Sequence, residues 1–461
     1  MGSVEDPSGS QALQTFSDYE KVYLNMSRAF AHLGKEHWAI HCVCGIRCDR
    51  WNDDAEMATA VEQAWKGLLY EYPGLSVKPE GSTKVFEPLS EQVVEQWADQ
   101  TFSVGTGLSA DDVVQRSGPG KLPSLVFLPE SSELVFLSQH WRNDALGVCM
   151  MLNRLLELLA RDGNEPTKPR LEERASLSPS MEDAAGSDQV ADSKLQQYAR
   201  QYIDSFHQKA VNSGGLPVGE DVAKLPGATA HREIVFGIDS TRAIVTACKM
   251  AGISVTAAIH VALAKTVLSL STDEQRALGY TTVMAVNMRD HLPSPYNTAA
   301  HACQTYVASI TPTVQDDRDF ISSAHDLTQE YRSWYSEDFR RSLRCIYQYH
   351  AAKLFASRPA DAKPPKPPSG VTLSSLGVVK RCLKTEHGGG LSLDTFRFGV
   401  SMFTRQTLLY AWTFRGQLCF SLDYNSAYYD EGMVEKILGM VKWNLDDGLA
   451  IGPTAAPICP T

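Results

Sequence analysis

Residues 134–152 read LVFLSQHWRNDALGVCMML and contain the most informative pattern in the chain. Residues 134–138 form an apolar run typical of a buried strand, and residues 145–160 predict an equally apolar helix. The loop between them presents His140 and Asp144. Loops held at both ends by a rigid scaffold often carry catalytic groups. We therefore interpret His140 and Asp144 as candidates for a catalytic site.

The His140 and Asp144 pair allows two interpretations. A histidine at a strand end can remove a proton from an alcohol near neutral pH, because its ordinary pKa is about 6.5. The alternative is a buried, hydrogen-bonded histidine beside an aspartate that caps the following helix. Of the 12 histidines, His140 alone is followed by an aspartate four residues later. The spacing and the loop together favour the catalytic interpretation.

Outward from this loop, strand and helix patterns alternate along the chain. In residues 37–46, Trp38, Ile40, Cys42 and Cys44 fall on one side, as in a half-buried strand. The other predicted elements are a helix over 53–72, a hairpin over 123–140, a helix near 195–211, a strand near 232–236, a helix over 256–270, a strand over 280–287 and a helix over 429–443. This pattern predicts an α/β fold.

The length of 461 residues predicts two to three folding units. Residues 166–194 are rich in proline, serine and glutamate, so we predict a linker there, between an N-terminal subdomain at 1–165 and a C-terminal subdomain at 195–461. A proline-dense segment near 356–395 is expected to cross between the two halves.

Composition excludes several classes of protein and partner. A hydrophobic fraction of 43% with 21% charged residues is typical of globular proteins rather than disordered or fibrous ones. The formal net charge of −11 argues against nucleic acid and acidic membranes as partners. The ten cysteines are interpreted as reduced thiols, and no signal peptide or membrane span is evident, so we expect a cytoplasmic monomer.

The hairpin, the loop QHWRNDALG and the apolar helix resemble the His-x-x-x-Asp-Gly signature of the coenzyme A-dependent acyltransferase superfamily. It contains chloramphenicol acetyltransferase, the plant BAHD acyltransferases and the condensation domains of peptide synthetases. Further landmarks follow in order along nearly the whole chain: YPGL at 72–75, the helix at 256–270, VNMR at 286–289, LSSLG at 373–377 and LDYNS at 422–426. Within the superfamily the chain is most similar to fungal alcohol acetyltransferases of the trichothecene 15-O-acetyltransferase type.

Three departures from the superfamily pattern are informative. Gln139 stands where condensation domains have a second histidine, which favours acylation of an alcohol over peptide-bond formation. Ala145 replaces the glycine after the aspartate. The plant motif DFGWG is absent, and DTFRFG at 394–399 is a faint counterpart.

The resemblance implies a fold of two chloramphenicol-acetyltransferase-like subdomains, each a mixed sheet with flanking helices, and an active-site tunnel at their interface. It implies that His140 is the general base, deprotonating a hydroxyl that attacks the thioester of acetyl-coenzyme A. Asp144 would point away from the imidazole and pair with an arginine, for which Arg289 is the candidate. The alternative for Arg289 is a solvated residue at a strand end.

Two further groups of residues match positions that the superfamily uses. Ser374 or Ser375 fits the position of a donor to the developing oxyanion, and Asn425 is a candidate to line the tunnel. Their alternatives are turn hydroxyls and a capping asparagine. Coenzyme A carries phosphates, so an acidic protein needs a local basic patch. The candidates lie in one stretch: Arg358, Lys363, Lys366, Lys380, Arg381 and Lys384. A solvated basic loop is the alternative.

We expect no permanently bound cofactor and no metal. The cysteines and histidines of residues 37–48 suggest zinc at first sight, but His41 and Cys42 point to opposite faces of a strand, which favours thiols in a core. The expected reaction is acetyl transfer from acetyl-coenzyme A to a small alcohol, a sesquiterpenoid such as a trichothecene. The alternatives are a condensation-like or cyclisation enzyme, or a small-molecule binding protein that uses the same cavity.

Overall fold

A computed structural model describes residues 4–5, 12–51, 53–161, 176–218, 223–356 and 368–452. Within these ranges the strands are β1 Val4–Glu5, β2 Ala12–Thr15, β3 Ile40–Arg47, β4 Lys78–Glu80, β5 Thr83–Phe86, β6 Phe102–Val104, β7 Ser124–Leu128, β8 Glu133–Ser138, β9 Thr229–Val235, β10 Tyr280–Thr281, β11 Met284–Asn287, β12 Val307–Ile310, β13 Thr313–Val314, β14 Val371–Val378, β15 Ser392–Val400, β16 Thr407–Phe414 and β17 Gln417–Asn425. The helices are α1 Asp18–Ser27, α2 Asp54–Glu71, α3 Glu91–Thr101, α4 Ala110–Arg116, α5 Ala145–Leu159, α6 Met181–Ala184, α7 Ser193–Val211, α8 Ile238–Met250, α9 Val255–Leu270, α10 Asp273–Arg276, α11 Phe320–Ser333, α12 Glu337–Leu354 and α13 Glu431–Gly448.

The chain forms two compact units, and neither is continuous in sequence. The first unit comprises Met1–Ser187, Asn287–Val307 and Val379–Ser401; the second comprises Asp188–Val286, Ala308–Val378 and Met402–Thr461. The first unit therefore takes in two segments that lie beyond residue 195. Part of the expected linker, residues 166–175, lies outside the described residues.

The first unit is built on a five-stranded mixed sheet in the order β15-β3-β8-β7-β6. Only β6 and β7 run parallel; the other neighbouring pairs in this sheet are antiparallel. On one face α4 packs against a valine cluster that includes Val43 and Val135. On the other face Trp65 of α2 contacts the ring of Phe136 at 6.1 Å between centroids. Helices on both faces bury the sheet and fix its register.

The second unit is built on a four-stranded mixed sheet in the order β14-β16-β17-β9. β14 and β16 are parallel, and the remaining pairs are antiparallel. The apolar helix α9 packs with α11 and α13 in the same core cluster as Leu373, Phe420 and Leu422 from the sheet. Two mixed sheets with flanking helices make this an α/β protein, as the sequence predicts.

Most predicted elements are confirmed within a few residues. The helix over 53–72 is α2, which Asp53 caps through a hydrogen bond from the Glu56 amide at 2.8 Å. The hairpin is β7 and β8, and the apolar helix after Asp144 is α5. These elements were predictable because their burial follows a local period of two or 3.6 residues.

Two predictions about strands are wrong. The strand near residue 40 is buried on both faces from Ile40 to Ile46, because β15 and β8 flank it and helices cover both sides. The single strand predicted over 280–287 is two strands, β10 and β11. Between them the Thr282 hydroxyl accepts a hydrogen bond from the Leu373 amide at 3.1 Å, so this residue departs from the regular ladder.

Within the described ranges, no single helix is long and apolar enough to cross a membrane. The pair α8 and α9 meets the length and composition criteria together, but the two helices are bent by 100° at their junction.

Candidate active site

His140 and Trp38 lie close together because of the register between β3 and β8. These strands are antiparallel, and Ile40 lies opposite Ser138. Trp38 precedes Ile40 by two residues and His140 follows Ser138 by two, so both leave the sheet at the same edge. Their ring centroids are 6.3 Å apart.

The residues on either side of His140 are anchored by polar contacts. Gln139, Arg142 and Asn143 are buried and hydrogen-bond to other parts of the first unit. Their partners include the Gly120 carbonyl at 3.1 Å for Gln139, the Val77 carbonyl at 2.8 Å and the Lys121 carbonyl at 3.1 Å for Arg142, and the Ser138 hydroxyl at 2.7 Å for Asn143. The Arg142 guanidinium also lies 4.4 Å above the Trp141 ring. The loop backbone is thereby held rigidly around the imidazole.

Asp144 holds the start of α5 to a distant segment of the same unit. It is the N-cap of α5, and its Oδ1 accepts a hydrogen bond from the Gly147 amide at 2.8 Å. Its Oδ2 accepts from Arg289 Nη1 and from the Tyr306 amide, each at 2.7 Å. These contacts turn the carboxylate toward Arg289 rather than toward His140.

The ion pair expected between Asp144 and Arg289 is therefore present, and both side chains are only 2% exposed. Arg289 Nη2 also donates to the Gln304 carbonyl at 3.1 Å. A buried pair of this kind needs its remaining hydrogen-bonding groups satisfied, which these backbone contacts do in part. At Gly147 a side chain would collide with the Ala302 carbonyl, so glycine permits this close approach.

The His140 imidazole is partly exposed at the end of this rigid loop. Burial disfavours the charged imidazolium and lowers the pKa of His140 below the ordinary 6.5. Its own backbone carbonyl and the charge of Asp144 oppose that shift. The same carbonyl accepts a hydrogen bond from the Thr305 hydroxyl at 2.6 Å. The lowered pKa favours the neutral imidazole near pH 7.

Tyr23 of α1 packs on the imidazole face, with ring centroids 4.5 Å apart and planes 25° from parallel. Burial raises the pKa of Tyr23 to about 12, so the phenol is neutral. Sequence reasoning missed Tyr23, Trp38, Gly147 and Tyr306. Of these, Gly147 carried a usable signal, since a glycine in the first turn of a helix indicates close approach of another backbone.

The expected oxyanion donors lie in the second unit. Ser374 and Ser375 are half-buried on β14, and the Ser375 hydroxyl lies 3.0 Å from that of Thr256. Asn425 is fully buried, and its amide bonds to the backbone of Gly227, Met402 and Ala427. Its polar atoms hold a turn, as the alternative of a capping asparagine describes.

The predicted basic patch is only partly within the described ranges. Lys380 and Arg381 are exposed on a short 3-10 helix of the first unit. Lys384 pairs with Glu157 at 3.0 Å, so its charge is already balanced. Arg358, Lys363 and Lys366 lie outside the described residues.

The strand thiols Cys42 and Cys44 are free and buried in β3. In the described part of the chain, no three or more His, Cys, Asp or Glu side chains are grouped so that they could hold a metal ion.

The structure places His140 on a strand-to-helix loop, with the buried pair of Asp144 and Arg289 behind it, in an α/β fold. This is the arrangement that the resemblance to the acyltransferase superfamily implies. Comparison with known proteins agrees. The chain is 51% identical over 436 residues to the azaphilone biosynthesis cluster protein M of Aspergillus terreus, covering 95% of each chain. It is 44% identical to the O-acetyltransferase pigM of Monascus ruber, covering 95% of this chain and 86% of that one.

The chain belongs to the family of O-acetyltransferases of fungal secondary-metabolite clusters, and it is an acyltransferase. Its fold is similar to that of the trichothecene 15-O-acetyltransferase TRI3 from Fusarium sporotrichioides, with a TM-score of 0.75, 18% identity and 97% of each chain covered. The epimerization domain of tyrocidine synthetase B shares the fold with a TM-score of 0.64, covering 95% and 98%. No family model matches the chain.

Proposed function

We propose that this protein transfers an acetyl group from acetyl-coenzyme A to a hydroxyl of an intermediate in azaphilone biosynthesis, with His140 as the general base. One observation carries the base assignment. Within a loop whose other polar side chains are anchored, the imidazole of His140 is partly exposed and neutral. The names of the two relatives above 40% identity support the acetyl group and the class of acceptor.

The proposed transfer needs one proton relay and no covalent enzyme intermediate. Nε2 of His140 takes the proton of the acceptor hydroxyl as its oxygen forms a bond to the thioester carbonyl carbon. The tetrahedral intermediate collapses, the carbon–sulfur bond breaks and the acetyl ester is released. The imidazolium then returns its proton to the leaving thiolate. This step is favourable because a thiol has a higher pKa than an imidazolium, about 8.5 for cysteine against about 6.5 for histidine.

Asp144 and Arg289 act in this mechanism by position. The Asp144 carboxylate fixes the first turn of α5 and, through Arg289 and the Tyr306 amide, the segment that packs behind the loop. Removing one partner would leave a buried charge, and the loop would lose its support. We propose that this pair positions His140 without exchanging protons with it.

Negative charge develops on the thioester oxygen during the reaction, and the phosphates of the co-substrate carry permanent negative charge. We propose a hydroxyl of Ser374 or Ser375 as the oxyanion donor, since one such donor contributes roughly 3 kcal/mol. Lys380 and Arg381 are proposed as phosphate contacts because both are exposed and cationic. Lys363, Lys366 and Lys384 remain weaker candidates, the last because Glu157 already pairs with it.

A trichothecene acceptor is less well supported than an azaphilone intermediate. The trichothecene enzyme is 18% identical, so that similarity carries the fold alone. Condensation and cyclisation by the same cavity are disfavoured because the relatives at 51% and 44% belong to a biosynthetic cluster and to the O-acetyltransferases, respectively.

The purified protein is tested with acetyl-coenzyme A and hydroxylated azaphilone intermediates, with release of free thiol and product mass as readouts. We expect stoichiometric thiol release and acetyl ester. Thermal stabilisation by coenzyme A, measured in parallel, reports binding independently of turnover. Binding without transfer to any alcohol of the panel would favour the binding-protein alternative, and absence of both would refute the proposal.

A further inference from the structure

Two partly buried aromatic residues, Tyr23 and Trp38, lie beside the imidazole of His140. Tyr23 lies 4.5 Å and Trp38 lies 6.3 Å from it, and these two rings are 6.4 Å apart. Both are partly exposed, unlike Trp65 in the core of the same unit. Tyr23 and Trp38 therefore each keep part of their surface accessible.

Trp38 reaches this position at a cost in backbone strain. Its φ of 60° lies in the left-handed region, which bulky residues rarely adopt. Had the strand pattern continued, Trp38 would share a face with Ile40 and Cys42 inside the sheet. Instead its amide donates to the Ser401 carbonyl at 2.8 Å, and the His37 ring stacks on it at 5.3 Å. Strain that the surroundings enforce is concentrated at functional sites.

We propose that Trp38, with Tyr23 behind the imidazole, forms the recognition surface for the acyl acceptor and selects a hydroxyl carried by a planar, conjugated ring system. The inference rests on the proposed function, since it takes His140 as the base that contacts the hydroxyl. Trp38 is the specificity-determining residue, and Tyr23 is a positioning residue because it packs on the imidazole face.

The aromatic surface suits the acyl acceptor better than the co-substrate. The acceptor hydroxyl must come within hydrogen-bonding distance of Nε2, so its ring system lies within reach of a side chain 6.3 Å from the imidazole. The planar part of coenzyme A is its adenine, which the whole pantetheine arm separates from the thioester. Near the reacting carbonyl the co-substrate is aliphatic, and it gains little from an indole face.

The test uses two alcohols of similar size, 2-naphthylmethanol and its decahydro analogue, with acetyl-coenzyme A. Stacking on Trp38 favours the planar alcohol, so its kcat/KM exceeds that of the saturated one. We expect Trp38→Leu to lower this ratio by about three- to tenfold, the range that one aromatic contact supplies, and Trp38→Phe to retain most of it. The matched control is Trp443→Leu, since Trp443 is 63% exposed on α13.

Equilibrium binding of the same two alcohols separates this inference from the proposed function. If the wild-type protein binds the planar alcohol more tightly and Trp38→Leu abolishes the difference, the inference holds even where acetyl transfer fails. If the wild-type protein shows no preference in kcat/KM or in binding, or if Trp38→Leu preserves the preference with an unchanged melting temperature, the inference is overturned.

Discussion

Two histidines with lowered pKa values illustrate what makes a side chain functional in this molecule. His140 lies on a loop of the first unit, and His260 lies on α9 in the core of the second. Burial lowers the pKa of both, for His260 to about 3. Both imidazoles are therefore neutral at pH 7.

The two histidines differ in their exposure to solvent. His260 is 0% exposed, and its Nδ1 lies 2.5 Å from the Tyr331 hydroxyl. His140 is partly exposed, and its ring is held by the stacked face of Tyr23. A lowered pKa is thus shared by a core residue and a candidate base, and the exposure of the residue distinguishes the two.

The largest expected effect is on turnover. His140→Ala removes the proton acceptor, so we expect acetyl transfer to fall by about 10²–10⁴-fold with an unchanged melting temperature. His32→Ala is the control, because His32 is an exposed histidine of the same unit. If turnover of the His140→Ala variant stays within a few fold of wild type, His140 is not the base and resembles His260 in having no catalytic role.

The next largest effect is expected when the buried ion pair behind His140 is broken. Arg289→Met leaves the Asp144 carboxylate buried without its cation, and we expect a loss of roughly 3–5 kcal/mol in unfolding free energy together with reduced turnover. Arg47→Met is the control, since its pair with Asp394 is exposed and solvent screens the attraction. Equal losses in the two variants, measured by denaturant unfolding, would argue against a special role for the buried pair.

Close approach at the start of α5 is tested by Gly147→Ala. The added methyl group would meet the Ala302 carbonyl, so we expect a loss of about 1–3 kcal/mol in stability. Gly439→Ala in α13 has open space around it and should instead gain up to about 1 kcal/mol from helix propensity. A neutral Gly147→Ala variant would show that this segment can move without cost.

The pH profile reports which histidine serves the reaction. A base must be deprotonated, so kcat/KM falls about tenfold per pH unit once the pH drops below the pKa of His140, which lies below 6.5. Above pH 6.5 this limb is flat. A limb centred well above 6.5 would assign the titration to another group.

The smallest effect is expected in the core. His260→Phe loses one hydrogen bond, which costs about 1 kcal/mol at pH 7, and leaves turnover unchanged. Because the folded pKa is lowered, the unfolded state binds more protons between about 3 and 6.5, so wild-type stability declines as pH falls through that window. The unfolding free energy of the His260→Phe variant should decline less steeply over the same pH range. A loss of turnover comparable to that of His140→Ala would contradict the comparison.

Local pattern explains which parts of the fold and site were predictable. The hairpin, α5 and α2 follow from apolar periodicity, and the strand-to-helix loop of His140 follows from their order. The pairing of Asp144 with Arg289 came from a family resemblance, since a spacing of 145 residues carries no periodic signal. The Tyr306 amide could not be predicted, because backbone groups leave no mark in the sequence.

Trp38 and Asn425 show where local pattern misleads. Alternation placed Trp38 with Ile40 inside the sheet, but a positive φ turns it toward His140. Asn425 matched a family position, yet its amide is occupied by the backbone of a turn. For Trp38 the backbone conformation decides the direction of the side chain, and for Asn425 backbone groups of other residues occupy the amide. Residue type alone specifies neither outcome.

The sequence by itself determined the α/β class, the rigid loop that carries His140 and the class of reaction, because these depend on local burial patterns and one short motif. The tertiary structure decided which side chains surround the imidazole. The antiparallel register of β3 and β8 brings Trp38 to it, the stacking of α1 supplies Tyr23, and the distant segment from Arg289 to Tyr306 holds Asp144 away. Such contacts depend on how separate elements pack, and packing is a property of the folded chain.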